Sequence, residues 1–282
     1  MTKIDAIIYS YKNKNLKSVV DALLNNTVND IFIYIFDQHP LDRSSIFNDD
    51  RISYEHIFWD TIQSPCERKG HIVNISTADY ILELSDDCIV SKGWDQSLIT
   101  FVSGEQRIVS GNKKAKLTNS DRFFLKVSGE PSSSFELSGY IDRNFVFAST
   151  NIWNSITYPY YLKYNGEEEM MSLDFFRSGK NIYSAPSNTY TDLGIRTIEN
   201  IYVPFSKDHN YNLVVKSLTV TDPDEKHKFQ KSLSDFLDFH GISNLVLNEL
   251  PYPTNDVSYN PYGLKFQDID ARKFISNTKA IY

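Results

Sequence analysis

The opening segment alternates strand and helix signals in a way that few folds accommodate. Residues 4–9 form a short apolar run, and residues 31–36 form a second one that stops at Asp37. Between them, five apolar residues recur at the spacing of one helical face: Leu16, Val19, Val20, Leu23 and Leu24. A strand, a helix and a strand in under 40 residues predict a βαβ unit, with Asn13 capping the helix.

The alternation continues along the chain. A strand is expected at 52–57, a helix at 67–78, and a buried strand at 80–84 that runs into an acidic turn. These repeats predict an α/β protein with a mixed sheet flanked by helices.

Later signals are more widely spaced. Four segments show regular periodicity: a helix to 102, strands at 108–111 and 145–149, and a helix from Glu167 that ends near Gly179. A strand near Ile182 and a helix over 224–240 follow, whereas 112–136 is expected to be rich in loops. The chain beyond Leu250 is expected to be an extended tail packed on the body.

Composition excludes several classes of protein. A chain of 282 residues with 41% hydrophobic residues can bury a large core, and no apolar stretch approaches the length of a membrane span. The net charge of −7 argues against nonspecific wrapping of nucleic acid. The two cysteines, Cys66 and Cys88, lack metal-module spacing and are expected to be buried thiols. We expect a soluble, cytoplasmic protein, and the AT-rich residue usage suggests a phage, acting in host cytoplasm, or an AT-rich microbe.

The acidic turn is the first candidate for chemistry. Asp86 and Asp87 directly follow the buried strand at 80–84, and ligands of open α/β sheets bind beyond the carboxyl ends of the strands. Two carboxylates there suit Mn²⁺ or Mg²⁺. The alternative is an acidic turn that caps the following helix.

A wider pattern surrounds this turn. Residues 64–98 carry Arg68, Lys69 and Asn74 on the preceding helix, then the strand, the turn Ser85-Asp86-Asp87, and Trp94-Asp95. This order is similar to the nucleotide-sugar half of GT-A (Rossmann-like) glycosyltransferases, and most resembles the GlcNAc transferases that modify protein hydroxyls. In that family the turn reads Asp-Ser-His. The resemblance implies that Asp87 binds the metal and that Ser85 or Asp86 faces the ribose.

Downstream segments extend the resemblance over patches of residues 4–242. Glu167 and Glu168 take the positions of the family's Gly-Glu-Glu motif, and Asp192 stands where the family has its second metal ligand, a histidine. Residues 224–242 are similar to the family's terminal helix. We therefore expect a GT-A domain at 1–242, with a nucleotide-sugar half (1–111) and an acceptor half (112–242), followed by a tail at 243–282.

The resemblance implies a mechanism in which Asp87 and Asp192 hold Mn²⁺ or Mg²⁺ on the diphosphate of a UDP-sugar. Asp37 would accept a hydrogen bond from uracil, Ser10 and Tyr11 would lie against the nucleoside, and Arg68 or Lys69 would add positive charge. Glu167 or Glu168 would serve the acceptor side as the catalytic carboxylate, and the family retains anomeric configuration.

Each of these residues also has a plain structural interpretation. Asp37 could close a turn, Glu167 and Glu168 could complement a helix dipole, Arg68 could be solvated, and Asp192 could form an Asx turn. His209, His227 and His240 are interpreted as surface or packing residues, with His209 as a reserve metal ligand.

The acceptor stays open between a protein hydroxyl and a hydroxymethylated base in phage DNA, with surface polysaccharide or lipid-linked sugar as a third option. For DNA, a basic segment would contact phosphates. Its residues are Lys113, Lys114, Lys116, Arg122 and Lys126. A rival hypothesis from another class is a catalytically silent module that binds a nucleotide-sugar and recognises a partner. No segment indicates a membrane partner.

Overall fold

The computed structural model describes residues 1–11, 13–58, 65–119, 124–156, 158, 167–193 and 233–240. Its strands, in chain order, are β1 (Lys3–Tyr11), β2 (Asp30–His39), β3 (Ile52–Phe58), β4 (Tyr80–Ser85), β5 (Cys88–Val90), β6 (Arg107–Ser110), β7 (Lys113–Asn119), β8 (Phe124–Pro131), β9 (Glu136–Ser138), β10 (Phe145–Ser149), β11 (Asn181–Ser184) and β12 (Tyr190–Asp192). Its helices are α1 (Leu16–Asn26), α2 (Pro65–Ile75), α3 (Trp94–Val102), α4 (Thr150–Trp153), α5 (Glu167–Arg177) and α6 (Leu233–His240), with a 3₁₀ turn at Ser44–Ile46.

Eight strands form one mixed sheet in the order β3-β2-β1-β4-β10-β6-β11-β9. Strands β1 to β4 are mutually parallel, and β10 runs antiparallel between β4 and β6. The predicted βαβ unit is confirmed, because β1 pairs in parallel with β2 and α1 connects them. The mixed α/β architecture expected from the sequence is therefore correct.

The two faces of the sheet bury separate apolar clusters. One face packs α1 and α3 against β1 through residues such as Leu23, Leu98 and Ile8. The other face packs α2 and α5 through residues such as Val73 and Phe175. Burying a side chain of this size contributes about 1.5–3 kcal/mol, so these two layers hold the strand ends in place.

The start of α1 differs from the expectation. The helix begins at Leu16 and is preceded by Asn15, so Asn13 is not its N-cap. The Asn13 side chain instead accepts a hydrogen bond from the backbone N–H of Asn15 at 2.7 Å and donates one to the backbone carbonyl of Asp86 at 2.8 Å. It therefore joins the end of β1 to the acidic turn.

The expectation that 112–136 is rich in loops is wrong for residues 113–119 and 124–131, which form strands. Strands β7 and β8 pair with each other in an antiparallel ribbon outside the main sheet. A ribbon of this kind satisfies its backbone hydrogen bonds by its own pairing, so it does not need the alternating apolar pattern by which strands are recognised.

The C-terminal part of the chain is described only in α6. This helix covers the end of the segment predicted to be helical over 224–240, and it packs on α5. The predicted tail at 243–282 lies outside the described residues. Across the described ranges, no helix has both the length and the hydropathy needed to cross a bilayer.

Candidate functional site

Two short strands bring three metal-ligating side chains together beyond the end of β4. Strand β12 pairs antiparallel with β5, so Asp192 lies opposite Cys88, and the backbone N–H of Leu193 donates to the Asp87 carbonyl at 2.9 Å. One ligand atom each from Asp87, Cys88 and Asp192 lie within 4.8 Å of one another. The two residues predicted to be metal ligands thus meet in space, although 104 intervening residues separate them in the sequence.

The carboxylate of Asp87 is buried without a protein cation. It is 2% exposed, and the Ser85 hydroxyl donates to its Oδ1 at 2.6 Å, with the sulfur of Cys88 at 3.8 Å. Among the described residues, no Lys, Arg or His forms an ion pair with it. Buried carboxylates are normally paired or coordinate a metal, so the donor chemistry here fits a divalent cation.

Asp86 ties this turn to the end of β1. Its Oδ2 accepts a hydrogen bond from the backbone N–H of Tyr11 at 3.3 Å, and Ser10, the preceding residue, is fully buried. Burial raises the pKa of the Asp86 carboxyl, while the hydrogen bonds that it accepts act against this shift. The predicted nucleoside residues Ser10 and Tyr11 therefore adjoin the acidic turn.

Asp37 lies within β2 and has a complete set of local partners. Arg43 donates to both of its carboxylate oxygens, at 2.6 and 2.7 Å, and the Tyr54 hydroxyl donates to Oδ2 at 2.8 Å. These contacts favour a role other than closing a turn, because the buried carboxylate of Asp37 and the partly buried guanidinium of Arg43 neutralise each other. Its predicted contact with uracil stays a prediction.

The three residues of α2 that were predicted to serve the donor lie in different surroundings. Arg68 forms an ion pair with Glu55 at 2.9 Å and is partly exposed, and Asn74 is exposed. Lys69 is 6% exposed and forms an ion pair with Glu83 of β4, with Glu167 of α5 at 3.7 Å. Lys69 therefore has two carboxylate partners inside the protein, while the role of all three residues at a diphosphate stays a prediction.

Glu167 and Glu168 begin α5 in unlike environments. Glu167 is 1% exposed and accepts a hydrogen bond from the Tyr158 hydroxyl. Its Oε2 accepts none from the described residues and lies 3.9 Å from the guanidinium of Arg143. Glu168 is about a quarter exposed and accepts hydrogen bonds from the Tyr140 hydroxyl at 2.8 Å and the Arg143 backbone at 3.2 Å.

The buried charges around Lys69 shift one another. Burial alone would raise the pKa of Glu167, but the ammonium of Lys69 and the guanidinium of Arg143 outweigh it and hold that pKa below its usual value. Burial dominates at Glu83 and raises its pKa. For Lys69, the two carboxylates outweigh burial and raise the pKa. The network therefore stabilises the charged forms of Lys69 and Glu167.

Several residues of this region were not identified from the sequence. Glu83 had a usable signal, since it is a charged residue in the middle of an otherwise apolar strand, and such a residue needs an internal partner. Arg43, Tyr158 and Arg143 had none, because their partners lie in other elements. Cys88 was identified only as a buried thiol; both cysteines are indeed buried and neither forms a disulfide.

Other predicted residues lie away from the site or outside the described part. His240 is buried and hydrogen-bonded to the Gly139 carbonyl at 3.1 Å, in agreement with a packing role. His209, His227 and Arg122 lie outside the described residues. In the basic segment, Lys113 is exposed, and the side chains of Lys114, Lys116 and Lys126 are not among those described.

Comparison with known proteins supports the fold. No protein-family model and no curated protein matches the sequence. Among solved structures, GalNAc-T7 with UDP, GalNAc and Mn²⁺ aligns with a TM-score of 0.53 at 10% identity. The alignment covers 86% of this chain and 54% of that chain, so this protein spans about half of the length of its structural neighbour. The likeness is one of architecture, and it agrees with a GT-A fold, a mixed sheet flanked by helices.

Proposed function

We propose that this protein is a metal-dependent glycosyltransferase that moves a sugar from a UDP-sugar to a hydroxyl acceptor. The observation that carries the proposal is the buried carboxylate of Asp87, which has no described protein cation and lies in one cluster with Asp192. The GT-A architecture supports it, as does a structural neighbour whose structure contains UDP, GalNAc and Mn²⁺.

Asp87 and Asp192 would hold Mn²⁺ or Mg²⁺ in this proposal. When bound, such an ion neutralises the negative charge that develops on a departing diphosphate. Ser85 keeps the Asp87 carboxylate oriented through its 2.6 Å hydrogen bond. Asp86 keeps the turn against the end of β1, where Ser10 and Tyr11 would contact the nucleoside.

The two glutamates of α5 would have different tasks. Glu167 lies in a buried network with Lys69 and Arg143, which supports a role in holding the start of α5 against β4. Glu168 is more exposed and is oriented by Tyr140, which supports a role as the carboxylate that orients the acceptor hydroxyl or stabilises positive charge on the sugar. Retention of anomeric configuration is part of the proposal and rests on the family resemblance alone.

The central experiment measures UDP release by the purified protein. A panel of UDP-sugars is offered with Mn²⁺, with Mg²⁺ or with EDTA, because many glycosyltransferases slowly hydrolyse their donor. We expect metal-dependent release from one sugar, with a loss of at least 10²-fold in Asp87→Ala, on the order of what a charge-stabilising group contributes. Asp21→Ala is the matched control, since that carboxylate is exposed and pairs with Lys17 on the surface of α1.

The outcomes separate the enzyme from a silent binding module. Binding of UDP without release from any donor, even in the presence of acceptors, would indicate a silent module. Absence of both UDP and metal binding would overturn the proposal.

The acceptor is tested once the donor is known. A radiolabelled donor is offered to a host-cell lysate and, separately, to hydroxymethylcytosine-containing DNA at low salt, where contacts to phosphates are strongest. Label in protein would support a protein hydroxyl as acceptor, and label in DNA would support the modified base. The phage origin belongs to the DNA alternative. Both the phage origin and the cytoplasmic location, which was expected for either acceptor, stay predictions.

A further inference from the structure

Cys88 belongs to the same cluster as the two carboxylates, yet the function proposed above gives it no role. Its sulfur lies 3.8 Å from the Oδ1 of Asp87, and its side chain is fully buried. In the register of β5 and β12, Cys88 is the direct partner of Asp192. Directly opposite residues of an antiparallel pair project to the same face, so sulfur and carboxylate lie on one side of this ribbon.

The spacing of the three donor atoms suits a single ion. Oxygen and sulfur ligands bind a transition-metal ion at about 2.0–2.3 Å, so two ligands of one ion lie at most roughly 4.6 Å apart. The donor atoms of Asp87, Cys88 and Asp192 all lie within 4.8 Å of one another. Because three ligands of one ion lie roughly 3.5–4.0 Å apart from one another, side-chain movements of up to about 1 Å would complete the contact.

We propose that the sulfur of Cys88 is a third protein ligand of the metal, alongside Asp87 and Asp192. The inference rests on the proposed function, since it concerns the same site. A thiolate ligand favours borderline and soft ions, whereas carboxylates alone serve Mg²⁺ and Mn²⁺. The site therefore prefers Co²⁺, Zn²⁺ and Cd²⁺ over Mg²⁺ more strongly than an all-oxygen site does. The thiol proton passes to solvent when sulfur binds.

The second cysteine provides a matched control. Cys66 is equally buried, but it lies in the apolar cluster on the opposite face of the sheet, with α2 and α5. Cys88 lies in the cluster with α1 and α3. The variants Cys66→Ser and Cys88→Ser each remove one thiol and keep a small polar side chain, so a difference between them reports on sulfur at the cluster.

The first test is the absorption spectrum of the Co²⁺-loaded protein, with and without UDP. A thiolate bound to Co²⁺ gives an intense charge-transfer band in the near ultraviolet, whereas carboxylate ligands do not. We expect the band in the original protein and in Cys66→Ser, and its loss in Cys88→Ser. Co²⁺ binding is measured independently by calorimetry, and folding of each variant by circular dichroism.

Affinity gives a second readout. Cys88→Ser is expected to weaken Co²⁺ and Cd²⁺ binding by about tenfold or more, while Mg²⁺ binding changes by less than about threefold. The diagnostic quantity is the change that Cys88→Ser causes in the ratio of Co²⁺ affinity to Mg²⁺ affinity. A simple preference of the original protein for Co²⁺ over Mg²⁺ would not be diagnostic, because an all-oxygen site also shows it. Equal losses for all three ions would contradict a sulfur ligand.

A third measurement does not depend on a variant at position 88. X-ray absorption of Zn²⁺-loaded Cys66→Ser protein should show sulfur at about 2.3 Å from the metal. A coordination shell of oxygen alone would overturn the sulfur ligand and leave the proposed glycosyltransferase standing. Failure to bind any divalent ion, with or without UDP, would overturn both.

Discussion

Arg43 donates hydrogen bonds to both carboxylate oxygens of Asp37, from Nη2 to Oδ1 at 2.6 Å and from Nε to Oδ2 at 2.7 Å. Asp37 is fully buried in β2, and Tyr54 donates a third hydrogen bond. A carboxylate offers about four acceptor positions, so roughly one remains for another donor. The contact between Asp37 and a nucleobase stays a prediction, because the carboxylate has no exposed surface in this arrangement.

Removing Arg43 should destabilise the protein strongly. In Arg43→Met the Asp37 carboxylate stays buried, with the Tyr54 hydroxyl as its remaining partner among the described residues, and breaking a buried pair costs about 3–5 kcal/mol. Urea unfolding measures the change. The control Arg51→Met breaks the surface ion pair with the partly exposed Asp49, and we expect a change below about 1 kcal/mol. Similar values for the two variants would contradict the buried pairing.

Lys69 should be essential to the packing between α2, β4 and α5. Lys69→Met leaves Glu83 and Glu167 buried without their ammonium partner, so we expect a loss of about 3–5 kcal/mol in the free energy of unfolding. The control Lys17→Met removes an exposed pair with Asp21 and should cost below about 1 kcal/mol. Adding Glu83→Gln to Lys69→Met should restore part of the loss; no restoration would argue against direct pairing.

The Glu167 carboxylate should make the stability of the folded protein depend on pH in the acidic range. Its pKa in the folded protein lies below its usual value of 4.5, so its contribution is present above the unfolded-state pKa and is lost as the pH falls through the folded-state pKa. Urea midpoints measured at several pH values between about 3 and 6 should fall less steeply with acid in Glu167→Gln than in the original protein.

Glu83→Gln is a control in which the pH dependence of stability should change in the opposite direction. The pKa of Glu83 is raised above its usual value of 4.5, so the folded protein holds that proton more tightly and the group lowers stability as the pH rises above about 4.5. Removing this group should make stability rise more with pH in that range. The same direction of change in both glutamine variants would contradict the assigned charge states.

Ser85 should raise metal affinity without binding the metal itself. Its hydroxyl donates to Asp87 at 2.6 Å, and loss of such a supporting hydrogen bond typically weakens metal binding by about 10–100-fold. We expect this for Mn²⁺ in Ser85→Ala, measured by calorimetry or electron paramagnetic resonance. Ser97→Ala is the control, because that hydroxyl donates to the Trp94 carbonyl within α3. An unchanged affinity in Ser85→Ala would refute the supporting role.

The packing of helix α6 at the sheet edge should require that residue 139 be a glycine, which has no side chain. A Cβ there would overlap the rings of His240 and Phe239, so Gly139→Ala should displace α6 from the sheet edge. Hydrogen exchange of residues 233–240 should then become faster. Gly104→Ala, where a Cβ meets nothing within 4 Å, should leave that exchange unchanged, although its φ of +70° makes the substitution mildly destabilising.

Local patterns in the sequence were sufficient for the elements that surround the acidic turn. Leu16, Val19, Val20 and Leu23 are all buried on one face of α1, and residues 80–84 form a buried strand, as apolar periodicity indicated. These patterns work because a helix or strand must bury an apolar face whatever its distant neighbours are. The ribbon of β7 and β8 was missed because its backbone pairing leaves no such pattern.

By itself, the sequence determined an α/β chain in which an acidic turn follows a buried strand, and it indicated Asp87 and Asp192 as candidates. Only the tertiary structure decided which charged side chains pair with one another. The partners of Asp37, Lys69 and Glu167 come from separate elements, and Asp192 meets Cys88 only through the pairing of β5 with β12. Electrostatic pairing depends on distance in space, and the order of residues along a chain does not encode that distance locally.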